Sequence, residues 1–255
     1  MNQVTITAIS DTHAQVALPD LLEGYESDIL VHCGDFTAGQ TNRMNRSSIY
    51  DSHRQSWQTF LLELKSIRHQ FGSIIVVPGN HDQICEYMSD QCKSEMANIG
   101  ANLLINSGVN VLLGEPVKND KTRSLSFWGV PHTPPFYSWF FQGYDMAMHA
   151  NNIAAATNVL ICHGPPYSIL DTVGPVPSHT LQTSDHLGCR ELFERCQNLP
   201  NLKAVFFGHI HSSHGEDHRN GVNYFNCSIL GERYERRYHP ITTSISLNHE
   251  CKIVG

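Results

Sequence analysis

Val4-Thr5-Ile6-Thr7-Ala8-Ile9-Ser10-Asp11-Thr12-His13 begins as an apolar, β-branched run and ends on a carboxylate and an imidazole two residues apart. The run has the composition of a buried strand. Residues two apart on an extended strand end project to the same side, so Asp11 and His13 face one space. Asp28-Ile29-Leu30-Val31-His32-Cys33 runs in the same way into Gly34-Asp35, and Ser73-Ile74-Ile75-Val76-Val77 runs through Pro78 into Gly79-Asn80-His81-Asp82. Between the second and third runs, Trp57, Phe60, Leu61, Leu64 and Ile67 recur at helical spacing opposite Glu63, Lys65 and Arg68, which predicts an amphipathic helix from Trp57 to Gln70. Strands alternating with helix predict an α/β sheet whose functional loops gather at the carboxyl ends of its strands.

The middle of the chain changes character. Leu103 to Ile105, a turn at Asn106-Ser107-Gly108, Val109 to Leu113 and Ser124 to Gly129 read as strands of a second sheet. A helix with an acidic cap is expected from Asp145 to Thr157, ahead of a strand at Asn158 to Cys162. A helix from Cys189 to Leu199 and strands at Lys203 to Phe207, Val222 to Phe225 and Ile241 to Leu247 complete the pattern. Prolines 165, 166, 175 and 177 mark a long loop between Gly164 and Gly188, of a kind that often carries function. The 255 residues suit a single domain, 1–255.

Composition narrows the partners. The chain is 40% apolar and 16% charged, with a formal charge of −7 and no basic block, so a long nucleic acid is disfavoured. A small anionic substrate stays open because bound cations can outweigh net charge locally. Residues Met1 to Ala8 lack the basic flank and apolar core of a signal peptide, and no run reaches the roughly 18 apolar residues of a membrane span, so a cytoplasmic location without a membrane partner is expected. The eight cysteines form no C-x-x-C pair and several sit in strand-like runs, which reads as buried thiols in a reducing compartment. Nothing in the sequence signals an oligomeric state.

Two further groups follow apolar runs: His163 in Cys162-His163-Gly164, and His209 and His211 in Gly208-His209-Ile210-His211. Taken singly, most of these signals have bland readings. Asp11 could be a cap or turn residue, Gly79-Asn80 an ordinary tight turn, and His163 a satisfied core histidine. Paired same-side histidines at a strand end have little structural need, and the ordered set is not explained by independent turns. Carboxylate, amide oxygen and imidazole are donors suited to two Mn, Fe or Zn ions, with Asp35 able to bridge them through its two oxygens. Two adjacent ions acidify a water and neutralise phosphoryl oxygens during in-line displacement. His81, next to Asn80, is the natural proton donor for a leaving alcohol, and Asp82 could orient it or stabilise its charged form.

The ordered set resembles the calcineurin-like metallophosphoesterase superfamily, over residues 4 to about 230. The resemblance implies a four-layer fold, a two-sheet β-sandwich flanked by helices. It implies that Asp11, His13, Asp35 and His211 hold one metal, that Asp35, Asn80, His163 and His209 hold the other, and that His81 is the acid. Asp82 is similar to the version found in cyclic nucleotide phosphodiesterase members. Trp128-Gly129-Val130-Pro131, Trp139-Phe140-Phe141 and His163-Gly164-Pro165-Pro166 resemble the small metallophosphoesterase-domain-containing group.

The expected activity is hydrolysis of small phosphate diesters, cyclic nucleotides among them. A phosphomonoesterase is the nearest alternative, and a non-catalytic interaction module on the same fold a remoter one. The aromatics between Phe127 and Tyr144 read either as core packing or as an apolar wall beside the metals. Arg43, Arg46 and Arg54 read as solvated, unless one folds over the metals to meet a phosphate. His132, His179, Asp185 and His186 read as loop residues, and Glu216, Asp217 and His218 as a solvated turn.

Overall fold

A computed structural model of the chain describes residues 3–38, 46–113, 124–174 and 185–247; side chains 46–50 are not described. Strands β1 (Gln3–Ile9), β2 (Ser27–His32), β3 (Phe71–Val76) and β4 (Asn102–Leu103) lie parallel, and β11 (Ile241–Ser246) closes the far side of β1 antiparallel, in the order β11-β1-β2-β3-β4. The second sheet joins β5 (Ser107–Leu112), β6 (Ser124–Val130), β7 (Val159–Cys162), β8 (Ala204–Phe207), β10 (Val222–Asn226) and β9 (Gly215–Arg219) in that spatial order. Its four central strands are parallel and both edges antiparallel.

Strand periodicity assigns the layers. Val4, Ile6, Ala8, Ile29, Val31 and Ile75 point from the first sheet toward Phe127, Val159, Ile161, Phe206 and Phe225 of the second. The intervening residues Ile9, Leu30, Ile74 and Val76 face the opposite way. Helices α1 (Leu18–Leu21), α2 (Arg46–Ile67), α3 (Gln83–Tyr87) and α4 (Ser89–Asn98) cover them, with Trp57, Phe60 and Leu64 of α2 buried there. Leu160, Val205, Phe207 and Tyr224 face α5 (Met146–Asn151) and α6 (Arg190–Gln197). Strands buried on both faces are apolar at nearly every position, as parallel strands under helices should be. The result is the expected four-layer sandwich of two mixed sheets between helices. Among the described residues, no helix is long and apolar enough to cross a membrane.

Several boundaries differ from the sequence expectation. The helix expected at Trp57 starts at Arg46 and relaxes into a 3₁₀ turn at Arg68–Gln70. The helix expected over Asp145 to Thr157 is only α5, capped by Asp145 Oδ1 accepting from Met148 N at 2.9 Å; the chain then turns so that Ile153 enters the core under the second sheet. Leu103 to Ile105 does not join the second sheet. Asn102 and Leu103 pair with β3, and the turn after them carries the chain across to β5. The segment read as a solvated turn at Glu216, Asp217 and His218 is the edge strand β9.

Glu95 on α4 links that helix to α2. It accepts from Arg54 Nη1 and Nη2 at 2.9 and 2.5 Å, from Trp57 Nε1 at 2.6 Å and from Gln91 at 2.9 Å. The Arg54 bonds, with those of Trp57 and Gln91, outweigh the effect of burial and hold the Glu95 carboxyl down at about 2. A depressed carboxylate stabilises the fold above its unfolded value and loses that contribution as pH falls through the folded value. The stability gap between the wild type and Glu95→Gln, read by urea denaturation, should therefore be widest at neutral pH and close as pH falls from about 5 toward 2.

Candidate metal centre

Parallel strands of both sheets deliver their carboxyl ends to one edge of the sandwich. Backbone bonds stitch the loops there: Asp11 N to Gly34 O and His13 N to Asp35 O at 2.9 Å within the first sheet, and Gly208 N to His163 O at 2.9 Å within the second. A bridge between Ser10 and Ser228 joins the sheets. The loops leave their strands sharply, with Asp11, His13, Asp35 and His209 in the left-handed region at φ 55°, 47°, 55° and 68°. Such conformations cost roughly 1 kcal/mol or more each and persist where surrounding bonds over-determine them. Gly34, at φ 108°, has no room for a side chain: a Cβ would lie 2.6 Å from His163 Nδ1 and 2.7 Å from Gly79 N.

The donors fall into two clusters, and a further grouping of His13, Asp35 and His81 lies between them. Asp11, His13 and His211 place one ligand atom each within 4.8 Å of one another, as do Asp35, His163 and His209. In the first, Asp11 Oδ1 lies 3.9 Å from His13 Nε2 and 3.4 Å from His211 Nε2, and the two imidazoles are 3.4 Å apart. In the second, Asp35 Oδ2 lies 3.2 Å from His163 Nε2, and Asn80 Oδ1 lies 2.9 Å from the same nitrogen. The same Asp35 oxygen is 3.7 Å from His13 Nε2, so this carboxylate stands between the clusters.

The surroundings fit cations. Asp11 Oδ1 is buried without a hydrogen-bond partner, while its Oδ2 accepts from His209 N at 2.9 Å and Ser228 Oγ at 2.8 Å. One oxygen is fixed and the other left for a ligand. The Nδ1 atoms of His211 and His163 lie 3.0 and 2.9 Å from the carbonyls of Gly231 and Cys33, which sets them as donors and turns each Nε2 toward its cluster. Burial opposes charge on both carboxylates. His211 beside Asp11, and His163 and His81 beside Asp35, nevertheless hold them well below the usual range. Against burial, Asp35 and Asp11 respectively push His163 and His211 up to about 9, while burial drives His13 and His209 down to about 3. A pocket that draws protons onto histidines to balance buried carboxylates is one in which cations can replace those protons.

His81 stands over the space between the clusters. Its backbone N–H donates to Asp35 Oδ1 at 2.8 Å and its carbonyl accepts from Thr37 Oγ1 at 2.8 Å. The ring packs edge-on to His13 at 4.6 Å and tilted against Trp139 at 4.1 Å, with Nδ1 unpartnered and Nε2 3.9 Å from Asp35 Oδ2. Asp82 is bound elsewhere. Its oxygens accept from Asp35 N, Thr37 N, Thr37 Oγ1 and Gly79 N at 2.7–2.9 Å, which ties together the loops that carry Asp35 and Asn80; none of these bonds reaches the His81 ring. Burial and the Asp35 charge outweigh those bonds and push the Asp82 carboxyl up to about 7.

All seven residues read as ligands, and His81, thus meet at one edge. The aromatic segment divides between both of its readings. Phe127 and Phe141 are buried in cores, whereas Phe136 packs on His209 at 5.0 Å and Trp139 on His81. Tyr234, edge-on to His13 at 4.8 Å and to His211 at 5.4 Å, was not foreseen, because the polar stretch around it has no strand or helix pattern. Ser228 was also missed; its position just past a strand at the same edge was the available signal. Arg54 does not reach over the metals, being paired with Glu95, and Arg43, His179 and the Arg46 side chain lie outside the described residues. His186 bonds Asp171 at 2.6 Å, and His132 stacks on His149 at 3.7 Å, both away from the clusters.

Two mixed sheets between helices, with two His/Asp clusters for divalent ions at their shared edge, define a metal-dependent phosphoesterase. The profile of the calcineurin-like phosphoesterases matches residues 4–213, and the chain belongs to that family. It is 26% identical to a UPF0046 protein of Caenorhabditis elegans over 246 residues, covering 92% of this chain and 73% of that one. It is also 26% identical to human metallophosphoesterase domain-containing protein 1 over 251 residues, 93% of this chain and 69% of that one. A dimetal phosphatase from Danio rerio shares the fold with a TM-score of 0.54 and 11% identity, over 96% of this chain and 93% of its own.

Ser228→Ala removes the hydroxyl that fixes Asp11 Oδ2. Loss of such a supporting bond should weaken binding at the first cluster by about 10- to 100-fold in a chelator competition, with the fold intact by circular dichroism.

Proposed function

We propose that the enzyme hydrolyses small phosphate diesters, cyclic nucleotides among them, as a single domain with two ions held by Asp11, His13, Asp35 and His211 and by Asp35, Asn80, His163 and His209. The observation that carries the diester reading is the character of the groups around the centre. Aromatic rings flank it on three sides: Phe136 at His209, Trp139 at His81 and Tyr234 at His13 and His211. Among the described residues, the hydrogen-bond partners of the seven donors, His81 and Asp82 are backbone groups, hydroxyls, amides, carboxylates or imidazoles, and none is lysine or arginine. A diester is singly charged and carries two organic substituents, which rings can contact. A monoester is dianionic and would call for further cationic groups.

Ions held by these seven residues would supply an activated water and offset phosphoryl charge. The chain's own residues do the rest. Asp35 and Asn80 sit on loops held together by Asp82, and the carbonyls of Cys33 and Gly231 aim His163 and His211. His81 has an unpartnered Nδ1 with which to meet a leaving oxygen, and its backbone is pinned from both sides. Seven buried free cysteines among the described residues support placing the enzyme in the cytoplasm.

The test is a panel on metal-free protein reconstituted with Mn, Fe or Zn, using esters that share a leaving group. Methyl p-nitrophenyl phosphate should exceed p-nitrophenyl phosphate in kcat/KM by about tenfold or more, a difference of ~1.4 kcal/mol in transition-state binding. The opposite order would make the enzyme a phosphomonoesterase. Negligible turnover of both with two ions bound would leave the interaction-module reading. His81→Ala should keep its metal content and lose about 100-fold or more on alkyl esters, with a smaller loss on nitrophenyl esters, whose leaving group needs no proton. Loss of bound metal in that variant would refute the assignment of His81 as the acid.

A further inference from the structure

Among the described residues, neither ring nitrogen of His81 makes a hydrogen bond: Nδ1 is buried without a partner and Nε2 lies 3.9 Å from Asp35 Oδ2. Asp82, the next carboxylate in sequence, gives its oxygens to the loops that carry Asp35, Thr37 and Gly79. The His81 backbone is pinned, yet the torsion that turns an imidazole about its last bond is broad and is not set by the backbone. An acid has to come within about 2.6–3.2 Å of the oxygen it protonates, so this ring needs another means of being held. Two rings touch it. His13 meets it edge-on at 4.6 Å, and Trp139 lies against it at 4.1 Å with the planes 32° apart.

Backbone bonds place Trp139 there. The loop from Thr133 to Gly143 is closed at its base, with Thr133 N donating to Phe141 O at 3.1 Å and Gly143 N to Thr133 O at 2.8 Å. Phe141 N donates to Glu86 Oε1 on α3 at 2.9 Å, and Phe140 N donates to Asn80 O at 3.2 Å. The last of these bonds joins the residue after Trp139 to the residue before His81, which brings the two rings into register. Tyr137 and Phe141, on either side, stand in the left-handed region at φ 47° and 48°, a strain that persists where surrounding bonds over-determine it. Packing does not account for the indole. Phe140 and Phe141 join the apolar core beneath the helices of the first sheet, whereas Trp139 belongs to none of the three cores, and its one aromatic contact among the described residues is His81.

We propose that Trp139 is the positioning residue of the acid: its indole ring, in place of a carboxylate, fixes the orientation in which the His81 imidazole meets the leaving oxygen. The inference rests on the reading of His81 as proton donor given above and adds the group through which that donor is held. Trp139 acts through His81, so its removal is felt where the leaving group needs a proton.

The experiment compares methyl phenyl phosphate with methyl p-nitrophenyl phosphate on the two-metal enzyme, two diesters that differ by a nitro group on the leaving phenol. Trp139→Ala should keep both ions and lose about tenfold or more in kcat on the phenyl ester, with KM little changed and a loss of about twofold or less on the nitrophenyl ester. Trp139→Phe, which keeps a ring, should recover most of that loss. In a His81→Ala background Trp139→Ala should cost nothing further on either ester, because the two residues act as a unit. Equal losses on both esters, or a loss confined to KM, would make Trp139 a wall against the substrate and overturn the proposal. So would an unchanged phenyl-ester rate in Trp139→Ala while His81→Ala shows the leaving-group dependence, an outcome that leaves the acid assignment standing. If His81→Ala itself lowers both esters alike, the acid assignment fails and this inference fails with it.

A second readout is independent of turnover: proton NMR of the zinc-loaded protein. The indole ring current should hold the His81 imidazole protons upfield. Their signals, assigned by their loss in His81→Ala, should move downfield in Trp139→Ala and by less in Trp139→Phe. Signals at the same position in the wild type and Trp139→Ala would show that the rings do not stack and would overturn the proposal.

Discussion

Asp11 is held across the seam between the two sheets. Its Oδ2 accepts from His209 N, at the end of the second sheet's β8, and from Ser228 Oγ, just beyond β10, while its own backbone N–H bonds Gly34 of the first sheet. One side chain thereby fixes the relative position of three loops. The His163 Nδ1 bond to Cys33 O does the same from the opposite direction. Because each sheet contributes members to both clusters, neither cluster exists without this seam. The glycines at 34 and 208 are what allow it to close: a side chain at 34 would meet His163, and one at 208 would meet the Asp11 carboxylate.

Closing the seam buries two carboxylates beside a group of imidazoles, an arrangement that is costly unless charge is balanced. The chain satisfies one oxygen of Asp11 with its own N–H and O–H groups and leaves Oδ1 without a hydrogen-bond partner, while Asp35 takes the His81 N–H on one oxygen and turns the other toward His163 and His13. Full satisfaction of these oxygens by the protein would have produced a stable polar core with no affinity for cations. Left-handed backbone at Asp11, His13, Asp35 and His209 shows the same economy, since local strain is tolerated where it aims a donor.

The centre was legible in the sequence because each donor follows an apolar run, and apolar runs in a doubly covered sheet announce strands. Val4 to Ile9 and Asp28 to Cys33 mark both where the chain is extended and where it must turn. Less legible was anything decided by contacts distant in sequence. Tyr234 reaches His13 across more than two hundred residues from a segment with no periodicity. Asp82 looked like a partner for its neighbour His81, yet its oxygens are claimed by backbone groups of two loops, a choice governed by how β2 and β3 align. The helix expected as far as Thr157 ends early because the second-sheet core takes Ile153, and no local propensity records that demand.

The donors and the aromatic rings around them come from different parts of the fold. The clusters lie at the seam, where bonds from both sheets constrain them. The rings beside the clusters come from outside the seam: Phe136 and Trp139 from the segment after β6 and Tyr234 from the turn before β11. Among the described residues, none of these three rings takes part in the hydrogen bonds that hold the donors. A fold built in this way sets its donors at the β-strand ends and surrounds them with groups from irregular loops, where sequence patterns are least diagnostic.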